Sequence, residues 1–297
     1  MADDSAPPRG FAPAGGIVRQ PRRPAGWVAP GPRPAGAGDR PDGWPAADED
    51  LCHLCGDWRI FQKLRGHRFS LDDLVTAWFA LEHAGEGEVR TALDLGCGSG
   101  SVLLMVAWAR PAARVIGVEA QDVSVGLARR SIAWNGCADR CEVRHGDLRD
   151  RALVEPAGAG FDLVTGTPPY IPLGDGVVSE RVQRGPACFE VRGGVEDYAS
   201  AAARWLAPRG VFTVCHSDAA RTLRAAAATN LVVRARRPVV PRDGRDPLFW
   251  VFAMEHRDVA ALDAPPGPPL VVRDRAGQWT DDFRALRLSM GMPCSAR

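Results

Sequence analysis

The side chains best placed to do chemistry fall in three short stretches. The first is Asp94-Leu95-Gly96-Cys97-Gly98-Ser99-Gly100, where an apolar run breaks into alternating glycines ahead of an apolar helical segment. Glycine at Gly96, Gly98 and Gly100 lets a ligand approach the backbone where a side chain would stand in the way. No Lys-Ser/Thr pair follows Gly100, which argues against a phosphate-cradling P-loop. The second is Glu119, about twenty residues further on at the end of a strand, where a carboxylate is placed to bind both hydroxyls of a ribose. The third is Thr167-Pro168-Pro169-Tyr170, a stiff loop ending in an aromatic ring, directly after another strand.

These stretches need a scaffold that brings strand ends together, and the hydrophobic pattern supplies one. Strands are expected at Thr91–Leu95, Arg114–Val118, Cys141–Arg144, Phe161–Thr165 and Val211–Cys215. Helices at Ser101–Arg110, Val123–Trp134, Val195–Leu206 and Asp218–Thr229 alternate with them. That alternation predicts an α/β fold with a parallel sheet and crossover helices. Two further strands, Leu231–Val240 and Leu248–Met254, are joined by a Pro/Gly/Asp turn and read as a closing antiparallel hairpin. Ahead of the core, Ser70 is a good N-cap for a helix over Leu71–His83, with Leu74, Ala77, Trp78 and Leu81 on one face.

The Asp94 glycine loop resembles the first motif of class I S-adenosylmethionine-dependent methyltransferases. The resemblance implies a Rossmann-like seven-stranded sheet of order 3-2-1-4-5-7-6 and S-adenosyl-L-methionine as cofactor. It further implies that the glycine loop and Asp94 hold the cofactor's amino-acid part, and that Asp147, after the third strand, meets the adenine amino group. Thr167-Pro168-Pro169-Tyr170 resembles the Asn/Asp/Ser-Pro-Pro-Tyr/Phe signature of enzymes that methylate planar amino groups. Phe69-Ser70-Leu71-Asp72-Asp73-Leu74 is similar to the segment ahead of the core in relatives of the bacterial valine-tRNA adenine-N6 methyltransferase. In such a loop the prolines would hold main-chain carbonyls toward a target amine. The Tyr170 ring would stack on the flat substrate, a contact worth roughly 1–3 kcal/mol for a nucleobase. Threonine departs from the signature's first residue, yet its hydroxyl still accepts one hydrogen bond.

The resemblance covers roughly Gly56 to Glu255 and implies methylation of adenine N6 in RNA, with tRNA as the leading substrate. The alternatives are N5-methylation of a glutamine in a protein such as a translation release factor, or an inactive binding protein that keeps the fold. The long segment Leu173–Gly194, with Arg181, Arg184 and Arg192, is set to meet phosphates or to pair with Glu180, Glu190 and Glu196.

Composition bounds the rest. The chain has 297 residues, 45% hydrophobic and 25% charged, with net charge +1. No global basic field of the nonspecific nucleic-acid type is present, and a local basic face is left open. Eight cysteines without a short secreted framework indicate reduced thiols in a cytoplasmic protein. Asp3 and Asp4 argue against an organelle transit segment, and no stretch suits a membrane span. Cys52-His53-Leu54-Cys55 has metal-like spacing but no second pair, so buried thiols are expected and no metal. Residues 1–48, rich in Pro, Gly, Ala and Arg, are expected to be disordered. A lead-in at 49–90, the core at 91–258 and a tail at 259–297 with a short helix near Trp279–Leu288 complete the expected layout.

Overall fold

The computed structural model describes residues 12–20, 23–84, 89–154, 160–176, 183–257 and 262–294. Glu180 and Arg181 lie outside the described residues. Three short strands open the chain: β1 (Ile17–Val18), β2 (Glu49–His53) and β3 (Arg59–Lys63), forming a small sheet in that order. Helix α1 (Leu71–His83) follows, its first turn closed by the Ser70 N–H donating to Asp73 Oδ2 at 2.8 Å.

The core alternates as its pattern dictates: β4 (Thr91–Leu95), α2 (Ser101–Ala109), β5 (Arg114–Glu119), α3 (Asp122–Asn135), β6 (Cys141–His145) and β7 (Phe161–Gly166). Then come α4 (Arg184–Cys188), α5 (Val195–Trp205), β8 (Leu206–His216), α6 (Ala219–Ala228), β9 (Leu231–Val240), β10 (Phe249–His256), β11 (Leu270–Val271) and α7 (Asp281–Ser289). The large sheet runs β6-β5-β4-β7-β8-β10-β9-β11. It is parallel from β6 through β8, and β10 runs antiparallel to both β8 and β9. The sheet has eight strands where seven were expected, because β11 adds a parallel edge beside Val239 and Val240. At two residues, behind a run of prolines, it is too short to show a period-2 pattern.

Both faces are covered, so β4 and β7 are almost wholly buried and mostly apolar, interrupted by Asp94, Asp162 and Thr165. One face packs residues of α1, α2 and α3, including Leu74, Leu103 and Ile132, in a single apolar cluster. The other packs α5 and α6 against Phe212 and Phe252, with Tyr198 and Trp205 as its largest helical contributors. The chain reverses its direction across the sheet between β4, flanked by β5, and its other neighbour β7. Ligands of open α/β sheets bind in the crevice at the strand ends of such a reversal.

The described part of the N-terminal segment departs from the disorder that its composition suggests. Trp44 meets Trp134 of α3 edge to face, with centroids 5.4 Å apart, and Trp134 meets Phe61 at 5.9 Å. Arg130 donates to the carbonyls of Asp42 and Trp44 and to Glu49 at 2.7–2.9 Å. The segment orders by docking on a finished surface rather than by a core of its own, so it carries no periodicity to read.

Candidate functional site

A cavity of about 900 Å³, counting its open mouth, lies at the strand ends where the chain reverses. Gly96, Gly98, Glu119, Asp147, Thr167 and Pro169 all line it. Asp94, Gly100, Pro168 and Tyr170 are not among its lining residues.

The glycine loop is built by close approach. At Gly96, with φ +61°, a Cβ would come within 2.1 Å of the Tyr198 hydroxyl. Tyr198 also fills the space beside Gly166, so its ring supports the loop from below and leaves no room for side chains there. At Gly98, φ +54°, a Cβ would meet nothing within 4 Å, so the bare backbone faces open cavity. Gly100 sits in the left-handed region as the cap of α2.

Asp94 is 2% exposed and fully engaged behind the loop: Oδ2 accepts from the Leu103 N–H at 3.0 Å and Oδ1 from the Thr165 hydroxyl at 2.8 Å. Burial pushes its pKa up to about 7 despite these donors. It braces β4, α2 and β7 from inside rather than presenting an oxygen to the cavity. Glu119 is the opposite case. Its Oε2 accepts from the Gly98 N–H at 2.9 Å and Oε1 from the Gln121 N–H at 2.7 Å, while the side chain still lines the cavity. Each carboxylate oxygen accepts two hydrogen bonds, so capacity remains for a diol. Burial raises its pKa, opposed by the backbone donors. Asp147 is clamped by Arg149 at 2.6 and 2.9 Å, which holds its carboxyl below the usual range.

Tyr170 is turned to another task. Its hydroxyl lies 3.1 Å from Cys215 Sγ and 3.4 Å from Asp72 Oδ2, and its ring meets His216 edge-on at 5.3 Å. The stacking role expected of it is not the one its contacts show: it ties the proline loop to β8 and to the first turn of α1. His216 shares that packing and is itself 1% exposed.

Asp73 is a cavity residue that the motif reading passed over. It accepts from the Ser101 hydroxyl at 2.6 Å, lines the cavity, and is lifted by burial to about 7. Its signal was present as the acid of the Ser70-x-x-Asp73 capping box, which explains the residue without a ligand. Gln183 had no signal at all. Its amide donates to the Ser124 hydroxyl at 3.0 Å, while the buried Oε1, on the same side chain lining the cavity, has no hydrogen-bond partner. Phe69, His67, Arg192 and Gly193 complete the mouth.

The donor and acceptor set fits S-adenosylmethionine. Bare backbone at Gly98, a carboxylate with spare acceptor capacity at Glu119, and acids at Asp73 and Asp147 line one cavity, with Gln183 on its wall. Among the described residues no cluster of three or more His, Cys, Asp or Glu is disposed to hold a metal ion, and no helix is long and apolar enough to cross a membrane.

Comparison with known proteins agrees with this geometry. Residues 92–172 match the family model described as a methyltransferase domain. The release factor glutamine methyltransferase of Mycobacterium leprae is 33% identical over 156 residues, which is 49% of this chain and 52% of that protein. The chain thus spans about half the length of that relative. The tRNA1(Val) (adenine(37)-N6)-methyltransferase of Porphyromonas gingivalis is 26% identical over 219 residues, covering 73% of this chain and 85% of that one. The crystal structure of a predicted O-methyltransferase from Agrobacterium tumefaciens superposes with TM-score 0.57 at 21% identity, covering 76% of this chain and 99% of its own, a likeness of fold alone. With its glycine loop, Glu119 and cavity gathered at one reversal of an open α/β sheet, the chain carries a methyltransferase domain over residues 92–172 and is similar to class I S-adenosylmethionine-dependent methyltransferases.

Proposed function

We propose that the protein methylates a planar exocyclic amine, adenine N6 of RNA, with tRNA as the substrate class. The observation that carries the choice of RNA is the charge around the cavity mouth. Arg221 takes both Glu190 and Glu196, at 2.6 and 2.7 Å, and so removes the acids that would neutralise the loop. Arg184 and Arg192 are left exposed with no ion pair among the described residues, Arg192 on the cavity wall itself. Arg65, also exposed, lies in the same loop as the cavity residue His67. Unpaired guanidinium groups around a cavity suit phosphates, which position a nucleic acid without reading its sequence. The match to the tRNA adenine-N6 enzyme also spans the larger share of both chains.

When bound, the cofactor supplies an electrophilic methyl group on a sulfonium centre. The chain's own part is placement. Thr167 and Pro169 line the wall where a target amine would lie, and the Thr167 hydroxyl with the stiff main chain accepts its N–H groups. An aromatic amine is a weak nucleophile, so orientation of its lone pair contributes more than a strong base. Asp73, Asp147 and Glu119 place carboxyl groups around the cavity, which suits a cationic cofactor. Phe69, at the mouth, offers the aromatic surface that Tyr170 does not.

A second reading, glutamine methylation in a protein, is favoured by the higher identity to the release factor enzyme over the shared core. Methyl-labelled S-adenosylmethionine, incubated with the purified protein and total RNA or total protein, separates the two. Label in RNA is the expected result, and label in protein alone replaces it with the second reading. No label in either, with cofactor still bound, marks Thr167 as the trace of a lost activity.

A further inference from the structure

We propose that a second cleft, between the lead-in and helix α7, is a nucleotide subsite that takes an unpaired nucleotide adjoining the one presented to the cofactor cavity. This rests on the reading of the chain as an RNA methyltransferase. The cleft measures about 1,090 Å³ and is lined by Arg23, His53, Phe69, Trp279, Phe283 and Arg287 among others. Phe69 lines both this cleft and the cofactor cavity. Ser70 and Leu71, at the start of α1, wall the cleft, and Asp72 beside them touches Tyr170 of the proline loop. The two spaces are therefore divided by one turn of helix and one aromatic ring, the separation that neighbouring nucleotides on one strand would need to bridge.

The cleft holds polar atoms that its own walls leave unmet. Both ring nitrogens of His53, Nε of Arg23 and Nε of Arg287 are buried and lack a hydrogen-bond partner. Buried polar groups are met in the great majority of cases, so these call for a partner, a water or a ligand group. Charge gives its class. Arg23 pairs with Asp57 at 2.6 Å, whereas Arg287 makes no ion pair among the described residues. Arg287 instead lies 4.2 Å over the Trp279 ring and donates to the Pro293 carbonyl at 3.3 Å. A guanidinium over an indole offers both a planar group on which a base stacks and a charge that meets a phosphate. A nucleotide carries both features, whereas an acidic peptide carries only the charge.

The test uses the full-length protein with S-adenosylhomocysteine present and a fluorescein-labelled single-stranded RNA octanucleotide read by anisotropy. Arg287→Gln and Arg23→Gln are each expected to weaken RNA binding about tenfold and to leave S-adenosylhomocysteine affinity unchanged, which certifies the fold. Arg287→Gln should also lower the salt slope of binding by about one, and Arg287→Lys should restore the slope. Wild-type protein that binds and methylates RNA, with both variants unchanged, overturns the cleft alone. Wild-type protein that neither binds nor methylates RNA overturns the underlying reading and the cleft with it. Displacement of the RNA by polyglutamate as readily as by unlabelled RNA overturns the nucleotide assignment in favour of an acidic peptide.

Discussion

The two ends of the cavity are built in opposite ways. At the glycine-loop end, polar atoms come from one short stretch of β4, its turn and β5, held by backbone hydrogen bonds such as Gly98 N–H to Glu119. At the proline-loop end, Thr167 and Pro169 depend on α1, α4 and β8, which are distant in sequence and joined through Tyr170, Asp72 and Cys215. A site assembled by local backbone geometry is fixed as soon as the sheet forms. A site assembled by long-range side-chain contacts can be retuned one contact at a time, which suits the part that chooses the substrate.

Changes at the first end should therefore be severe and unselective. Gly96→Ala puts a methyl group 2.1 Å from the Tyr198 hydroxyl and a side chain at φ +61°. The left-handed backbone alone costs roughly 1–2 kcal/mol and overpacking about 1–3 more. A fall of many degrees in melting temperature is expected together with loss of cofactor binding. An unchanged melting curve would show that the loop is not braced by Tyr198.

Asp73 joins the two ends, because it belongs to α1 yet faces the cofactor cavity. Its pKa is raised in the folded protein to about 7, so the protonated form is favoured and the stability it lends is present below pH 4 and lost as pH rises toward 7. A bound ammonium or sulfonium favours the charged form, so cofactor binding releases a proton. Affinity for S-adenosylmethionine should rise between pH 6 and pH 8 by roughly tenfold per unit at most, and level off above. Asp73→Asn should flatten that rise. A variant with the wild-type pH profile would remove Asp73 from the cofactor's reach.

Tyr170→Phe tests the second end with a smaller stroke. It removes the hydroxyl contacts to Cys215 and Asp72 and keeps the ring against His216. At about 0.5–1.5 kcal/mol for a hydrogen bond, turnover should fall about threefold to tenfold with cofactor affinity unchanged. Equal loss of both would mean that the tyrosine holds the whole cavity rather than its target end.

The same contrast explains what the sequence disclosed. The alternation of strands and helices and the glycine loop were legible because each rests on local periodicity or on backbone conformation. The position of Glu119, at a strand end beside the cavity, was legible from spacing. Asp73 and Gln183 were not, since an acid in a capping box and a glutamine in a loop have sufficient local explanations. The contacts of Tyr170 with Cys215, Asp72 and His216 were not legible, because a motif specifies a loop and not which way its aromatic ring packs. Trp44, half-buried against Trp134, belongs to the same class: the N-terminal segment is ordered by a surface that composition does not reveal. Trp44→Ala should cost about 1 kcal/mol, seen as a small drop in melting temperature, and leave methyl transfer unaltered. A fall in activity without a fall in stability would place that segment in the substrate's path.

The most direct test of the account is a calorimetric titration of the full-length protein with S-adenosylmethionine, alongside Glu119→Ala. Loss of the carboxylate removes the group proposed to meet the ribose and strips the Gly98 and Gln121 N–H groups of their acceptor. At about 1.5–3 kcal/mol for hydrogen bonds to a charged group, one site per chain and a loss of affinity of about tenfold to a hundredfold are predicted. Binding to wild type that Glu119→Ala leaves unchanged, or no binding at all, would contradict the assignment of the cavity to the cofactor.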